Sequence, residues 1–478
     1  MAPSPAGNRV LRCGHALVLG AGMAGLSAAA ALAGRAERVT LLERDALSRV
    51  DEPRKGVPQG RHLHLLLPPG LQALERLFPG FADELRRSGG QLLDAPSDFS
   101  INVAGGRLAV DSLAEGFTLA GATRPLIEGM ARERVRALPN VEVRAGCEAL
   151  GLSAAAGGRR VIGARVRRAG SDGDGEDLAA DLVVDATGRG SRAARWLEKL
   201  GYRSPREQRV RVDVRYTTRF FRRPQAGAAG PRVVMVGVPP GGRRGAVALA
   251  VEDGRWQVVL AGILGEQAGR ELDGFRAYAR SLWCPDVADL IDAAEPIGEA
   301  VTGAYPANTR HRYDRLRRFP EGFVVVGDAL CPLNPLYAQG MTVATLEGLA
   351  LGRALDAVGP KRVGKAFFRA TRDLVSACWT QAVDNDLRHP SVEGPRTLRW
   401  RVLGAYGDRL LRAARHDPVV ARAFFEVMSL VRPGTILVRP RILRRAFAPP
   451  ALASVRAARL DRTSAAARPP EGAGPGAG

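Results

Sequence analysis

Val18-Leu19-Gly20-Ala21-Gly22-Met23-Ala24-Gly25 is the stretch that decides how this chain of 478 residues is read. Any tight strand-to-helix turn can produce a lone G-x-G-x-x-G, so its surroundings carry the argument. An apolar run precedes it, an Ala-rich helical run follows it, and Leu41-Leu42-Glu43-Arg44 closes a second strand about 20 residues on. That context is a βαβ unit that holds a dinucleotide pyrophosphate. Gly20 allows the bend, and Gly22 lets backbone N–H groups approach phosphate oxygens. Gly25 lets the helix opened by Met23 and Ala24 pack on the strand, with its positive end toward the pyrophosphate. Glu43, with Arg44 beside it, is placed to accept hydrogen bonds from the adenosine ribose hydroxyls, which favours an unphosphorylated ribose.

Far downstream, Val324-Val325-Val326-Gly327-Asp328-Ala329 runs on to Asn334-Pro335-Leu336-Tyr337-Ala338-Gln339-Gly340-Met341. A nicotinamide dinucleotide alone needs no such second strand ending in Gly-Asp. An extended flavin does, because its ribityl chain and ring cross the sheet toward a second loop. Asp328 is then a partner for the ribityl hydroxyls. The stretch from Gln339 to Thr345, including Gly340 and Met341, reads as a helix start whose N–H groups and dipole face the ring. The cofactor expected is FAD, held non-covalently.

At these residues the chain resembles the FAD-dependent monooxygenases of the p-hydroxybenzoate hydroxylase type, and within them the actinobacterial branch that includes flavin-dependent polyether epoxidases. Four segments carry the resemblance: Gly20 to Gly25, Arg54 to His62, Asp185-Ala186-Thr187-Gly188-Arg189-Gly190-Ser191-Arg192, and Gly327 to Met341. Weaker similarity continues through Asp386-Leu387-Arg388-His389-Pro390. The resemblance implies that Arg54 lies near the pyrophosphate and the flavin, and that Arg124 reaches the flavin nucleotide. For each, a solvent-facing Arg is the plainer alternative. Pro335 would shape the loop at the ring, or simply make a turn. Two departures stand out. Thr187 occupies a position that is usually Asp, which puts the reductant in question, and Ala338 stands where Gly is usual, adding a methyl near the ring.

The length suits two or three domains, and the apolar fraction of 46% is that of an ordinary soluble protein. Five cysteines without a C-x-x-C pair argue against zinc and a disulfide framework and fit a reducing cytoplasm. No metal is expected: His62 and His64 alternate on a strand-like run and read as polar contacts near the flavin rather than ligands. The uncharged run from Ala16 to Gly34 imitates a signal peptide or membrane span, yet it contains the nucleotide turn and reads as buried strand and helix. The net charge of +21 is nearly all Arg, spread along the chain, and aromatics make up only 5%, so nucleic acid is not an expected partner. The stretch from Ile436 to Phe447 mixes apolar and basic residues, which leaves two readings: peripheral membrane contact, or a helix packed on the domain with Arg facing water.

The motif positions make the fold class α/β. A Rossmann-like FAD-binding domain is assembled from residues 1–94, 122–200 and 305–354. A β-rich substrate domain is inserted as 95–121 and 201–304, a helical region follows over 355–463, and 464–478 is a disordered tail. Thr123 to Ala137 reads as a helix. Strands are expected over 141–144, 181–185, 209–221, 232–238, 246–251 and 256–261, with a turn at Glu252-Asp253-Gly254. Helices are expected over 366–387, 398–414 and 418–431. Val233, Val236, Val247, Leu249 and Val258 line a substrate pocket or form sheet core.

The resemblance implies that NADH or NADPH reduces the flavin, that dioxygen adds to it, and that the resulting hydroperoxide passes one oxygen to an apolar, natural-product-like substrate by hydroxylation or epoxidation. No catalytic side chain is certain; Arg54 and Pro335 are the candidates near the ring. Two other classes stay open: a flavin reductase or dehydrogenase acting on a lipid or polyketide, and a flavin-binding protein or halogenase. The last lacks a Trp-x-Trp-x-Ile-Pro segment here.

Overall fold

Runs rich in Val and Leu suit strands buried on both faces, and five segments, four of them with mostly buried residues, form a parallel sheet in this computed structural model. It describes residues 12–448 except 48–51, 95, 104, 110–116, 171–172 and 225–229. Across the sheet the strands run Phe323–Val325, Leu182–Asp185, Cys13–Leu19, Ala36–Glu43 and Val141–Ala145, every pair parallel. Cys13–Leu19 is central, and the chain order reverses on its two sides. The crevice at the carboxyl ends of such strands is where open α/β sheets bind ligands. The loops after Leu19, Glu43, Asp185 and Val325 all leave from that edge.

Alternating apolar and polar residues build the second unit, a seven-stranded sheet in the order Pro296–His311, Glu207–Arg222, Arg255–Gly262, Arg244–Val251, Val233–Val236, Phe99–Val103 and Gly106–Arg107. The expected turn joins Arg244–Val251 to Arg255–Gly262: Asp253 and Gly254 both have left-handed backbones (φ 60° and 61°), the conformation of a tight type I′ hairpin. The strand expected over 232–238 is pared to Val233–Val236. Pro296–His311 is one continuous strand, so residues 305–311 stay with this sheet, paired with Glu207 to Val214, past the boundary expected at 305. Leu119–Gly121, expected with the substrate domain, pairs instead with Leu65–Leu66 and Gln91–Leu93.

Helix Met23–Ala33 packs against the first part of a long helix, Gly340–Asp386. The contact is close because Gly348 meets Ser27, where an added Cβ would sit 2.6 Å from the serine Cβ. The long helix begins well before the helix expected at 366 and runs through the boundary expected at 354. Gly359 (φ 68°, ψ 176°) breaks it just before Pro360, which lacks an N–H to continue the ladder. The two arms fold back on each other, and Gln339 Nε2 donates to Gln381 Oε1 at 3.2 Å.

Helices Leu398–Ala413, Pro418–Met428 and Pro440–Ala446 complete the described chain. Asp417 caps the second, accepting from Val419 N at 2.9 Å. The helix expected to reach 431 stops at Met428, and Leu430 follows in a left-handed conformation. Together these helices bury Leu410, Val420, Ile436 and Ile442 against Phe99, Ile101 and Leu249 of the large sheet. The expected tail at 464–478 lies outside the described residues. Among the described residues, no helix is long and apolar enough to cross a membrane.

Candidate functional site

The three glycines of the first turn divide into two kinds. A Cβ on Gly25 would stand 1.8 Å from Gly20 O, and one on Gly20 (φ 98°) would stand 2.6 Å from Ala186 O, so the fold itself requires both. Gly22 differs. A Cβ there would meet only Arg54 Nη2 at 3.7 Å and Arg124 Nη2 at 4.0 Å. Its bare backbone therefore faces open space flanked by two guanidiniums, at the start of helix Met23–Ala33, which no side chain caps. Unsatisfied N–H groups, a helix N-terminus and two cations around an empty cradle suit a pyrophosphate.

Both arginines are fixed from behind. Arg54 pairs with Glu43 (2.7 Å), Asp45 (3.3 Å) and Glu128 (2.8 Å), and Arg124 pairs with Glu128 at 2.9 Å. Burial pushes the Glu128 carboxyl upward, but Arg124 and Arg54 outweigh it and hold the group below the usual carboxylate range. Glu43 also accepts from Ala21 N at 2.9 Å and Asp45 N at 3.1 Å, so it braces the glycine turn as well as facing the cavity. Arg44 is exposed at the rim. Glu128 went unnoticed in the sequence, although its spacing four residues after Arg124 marks an ion pair on one helix face.

The Thr187 departure has a structural reason. Asp185 is fully buried and accepts from Thr187 N (2.9 Å), Thr187 Oγ1 (2.6 Å) and Ser191 Oγ (2.6 Å). Burial raises its pKa. A carboxylate at 187 would set a like charge against it, whereas the hydroxyl donates to it. Ser191 is thus a tie for this loop.

Gly327 carries the second loop to the first. Its left-handed backbone (φ 65°) brings it so close to Ala24 that an added Cβ would lie 2.6 Å from the alanine Cβ. Asp328 follows on the cavity wall, and burial raises its carboxyl. Beneath the turn, buried Glu347 accepts from Gly327 N at 2.6 Å; burial pushes this carboxyl up to about 8. Asn334 Oδ1 then accepts from Leu336 N at 3.0 Å, and Pro335 is exposed to the cavity. Ala338 holds a left-handed backbone (φ 52°, ψ 24°), so the second departure retains a glycine-like conformation with an alanine in it, at a cost of about 1–2 kcal/mol. Gly340 and Met341 start the long helix on the same wall, with no side-chain cap.

His62 and His64 are hydrogen-bonded into this wall. His62 Nδ1 is 2.8 Å from Thr218 Oγ1, and the ring meets Tyr216 edge-on at 4.5 Å. His64 donates from Nδ1 to His62 O at 2.9 Å. Burial first, then the nearby Arg61 and Arg124 respectively, push their pKa values down to about 4 and about 3, so both are neutral. No group of three or more His, Cys, Asp or Glu among the described residues is placed to hold a metal. Cys331 is buried, its thiol 3.5 Å from Thr309 O.

From the cradle a cavity of about 1020 Å³ runs past these loops to the face of the large sheet. Val233, Val236 and Val247 border it, and Val233 and Val236 are at the same time buried sheet core. Leu249 and Val258 do not border it: Leu249 packs under the C-terminal helices and Val258 under helices Leu272–Arg280 and Asp286–Asp292. Phe99 and Ile101 add to the apolar wall, and Leu411, Phe424, Phe425 and Met428 of the C-terminal helices close it. One buried acid interrupts this end. Asp386 Oδ2 accepts from Asn308 Nδ2 (2.5 Å) and Asn334 Nδ2 (3.3 Å), and burial pushes its carboxyl up to about 7. The carboxyl ties the large sheet, the loop after Gly327 and the long helix together.

Comparison with known proteins gives a consistent frame. Protein Rv3254 of Mycobacterium tuberculosis is 35% identical over 445 residues, which span 91% of this chain and 93% of that protein. Among solved structures, PqsL, a probable FAD-dependent monooxygenase from Pseudomonas aeruginosa, superposes with a TM-score of 0.59 at 17% identity, covering 78% of this chain and 96% of its own. A flavoprotein/dehydrogenase from Cytophaga hutchinsonii gives a TM-score of 0.63 at 17% identity over 93% and 99% of the two chains. At these identities the likeness to the solved structures is one of fold. No family model matches the chain.

Proposed function

This chain belongs to the family of protein Rv3254, and from that premise we propose that it binds FAD non-covalently and inserts one oxygen atom from dioxygen into an apolar, natural-product-like substrate. One observation carries the reading: a cradle suited to a dinucleotide opens without interruption into a cavity walled by valine, isoleucine and phenylalanine. Gly22 with the N-terminus of helix Met23–Ala33, Arg54 and Arg124 would hold the pyrophosphate, Glu43 the adenosine ribose, and Asp328 the ribityl chain. Bound FAD supplies the redox chemistry and the activated oxygen. The protein positions the substrate, excludes water at the sheet face, and keeps His62 and His64 neutral beside the ring's expected place. Asp386 stands at the substrate end with a carboxyl pushed up to about 7, so it is suited to hold or release a proton there. The free state of all five cysteines suits the reducing cytoplasm.

The p-hydroxybenzoate hydroxylase type, and the epoxidase-like branch within it, is the finer placement supported by the four sequence segments. NADH or NADPH is the proposed reductant, meeting Arg54 and Arg124 transiently at the cleft. A second reading, an FAD-dependent reductase or dehydrogenase acting on a lipid or polyketide, is favoured by Thr187, which supplies no carboxylate at the cleft.

Labelled dioxygen separates the two. Product carrying one labelled oxygen per nicotinamide consumed is the expected result, and unlabelled product formed with full nicotinamide consumption selects the second. Denaturation should release FAD itself rather than FMN.

A further inference from the structure

The helix Leu398–Ala413 has two faces with opposite tasks. Inward, Trp400 donates from Nε1 to Asp384 O at 3.1 Å, Leu410 is buried, and Leu411 walls the apolar cavity. Outward, Leu398 (75% exposed), Val402 (59%) and Ala405 fall on one stripe by helical spacing, with Arg399 and Arg401 exposed on its flanks. Val438 and Phe447, on the neighbouring segments, are also about half exposed. Residues 398–448 hold eleven arginines against three acids. Each acid is paired: Asp408 with Arg388, Asp417 with Arg445, and Glu426 with Arg422. An exposed apolar stripe edged with arginine is the pattern of a helix that lies in a bilayer interface.

We propose that this face docks on an anionic lipid surface, with Leu398 and Val402 entering the headgroup boundary and Arg399 and Arg401 meeting lipid phosphates. Charge selects this occupant over two others. A second copy would bring the same excess of arginine to the contact. Residues 449–478 carry four arginines against two acids, so they are of the same sign. Because the opposite side of the same helix walls the substrate cavity, docking would place a bilayer one helix away from it. That use of the face in substrate delivery rests on the proposed function, whereas docking itself does not.

Flotation of the full-length holoprotein with vesicles tests the idea. Binding is expected to phosphatidylcholine vesicles containing phosphatidylglycerol, to weaken as salt is raised, and to be absent with phosphatidylcholine alone. Leu398→Asp/Val402→Asp should abolish flotation, and Arg399→Glu/Arg401→Glu should weaken it by roughly thirtyfold or more. Flavin content and melting temperature, which both pairs should leave unchanged, show that the variants are folded. Absence of flotation with the anionic vesicles overturns the proposal, as does flotation that survives both pairs. A wild-type dimer in sedimentation that Leu398→Asp/Val402→Asp splits would assign the face to a second copy and also overturn it. Since flotation does not read oxygen transfer, its failure leaves the proposed function standing.

Discussion

The two ends of the cavity are built by different rules. At the cradle, contacts are made by backbone and charge: two glycines with no room for a methyl, one glycine with nothing before it, and two arginines locked to Glu43, Asp45 and Glu128. At the sheet end, contacts are made by shape: side chains from two strands of the sheet, a parallel neighbour and two helices converge with no fixed spacing in the chain. A cofactor of constant geometry demands residues at constant intervals, so a substitution at the cradle should act on binding as a switch. A wall of side chains should respond by degrees.

Gly22→Val breaks the comparison most sharply if it is wrong. The branched side chain would fill the cradle, although its Cβ meets no protein atom closer than the guanidinium ends of two arginines. FAD retention should fall beyond detection with little change in melting temperature. Equal loss of folding would mean that Gly22 belongs with Gly20 and Gly25.

Glu128→Gln tests how firmly the cradle is held. It strands the nearly buried guanidinium of Arg124, removes one of three carboxylates from Arg54, and should cost about 3 kcal/mol in denaturant unfolding, together with weaker FAD binding. Because the native Glu128 carboxyl is held below its usual range, its contribution is present above the unfolded pKa and is lost as pH falls through the folded one. The variant should therefore lose part of the wild type's acid sensitivity.

At the other end, Phe425→Ala should leave flavin reduction nearly intact and divert turnover to hydrogen peroxide several-fold, in proportion to the space opened. Oxygen electrode traces with and without catalase measure this. A complete block of reduction would show that the two ends are not separable.

Two smaller effects refine the cradle side. Glu347 has a carboxyl raised to about 8 in the folded state, so stability present below pH 4.5 declines as pH rises toward 8. Glu347→Gln keeps an acceptor for Gly327 N and should flatten that decline in melting scans between pH 5 and 8. Ala338→Gly relieves a left-handed alanine and should raise stability by about 1 kcal/mol at most, with no change in FAD content.

The same contrast explains what could be read from the sequence. The βαβ turn, the Gly-Asp loop, the helix after Thr123 and the Asp253-Gly254 hairpin are dictated by local backbone demands, and they appear where their residues placed them. Alternation could not separate Val233 and Val247 from Leu249, which shares their side of the sheet, or Val236 from Val258, because distant segments decide which part of each side meets the cavity. Glu347 gave no local signal, and Asp386 opened a weakly similar segment without any role legible for it, because a buried acid in a helix looks like any exposed one until its partners from distant segments are known. The boundaries at 305 and 354 slipped because a strand and a helix run through them, and pairing across space decides where such elements end.

The bend at Gly359 and Pro360 makes the long helix a folded ruler. A straight helix of its 47 residues would reach about 70 Å, yet it starts at the loop after Gly327 with Gly340 and comes back to the same cavity with Asp386. Both ends of the cavity are therefore gauged from one crease. Adding or removing a single residue in either arm would turn every later side chain by about 100° and swing Asp386 away from Asn308 and Asn334. These two arms are fixed in residue count.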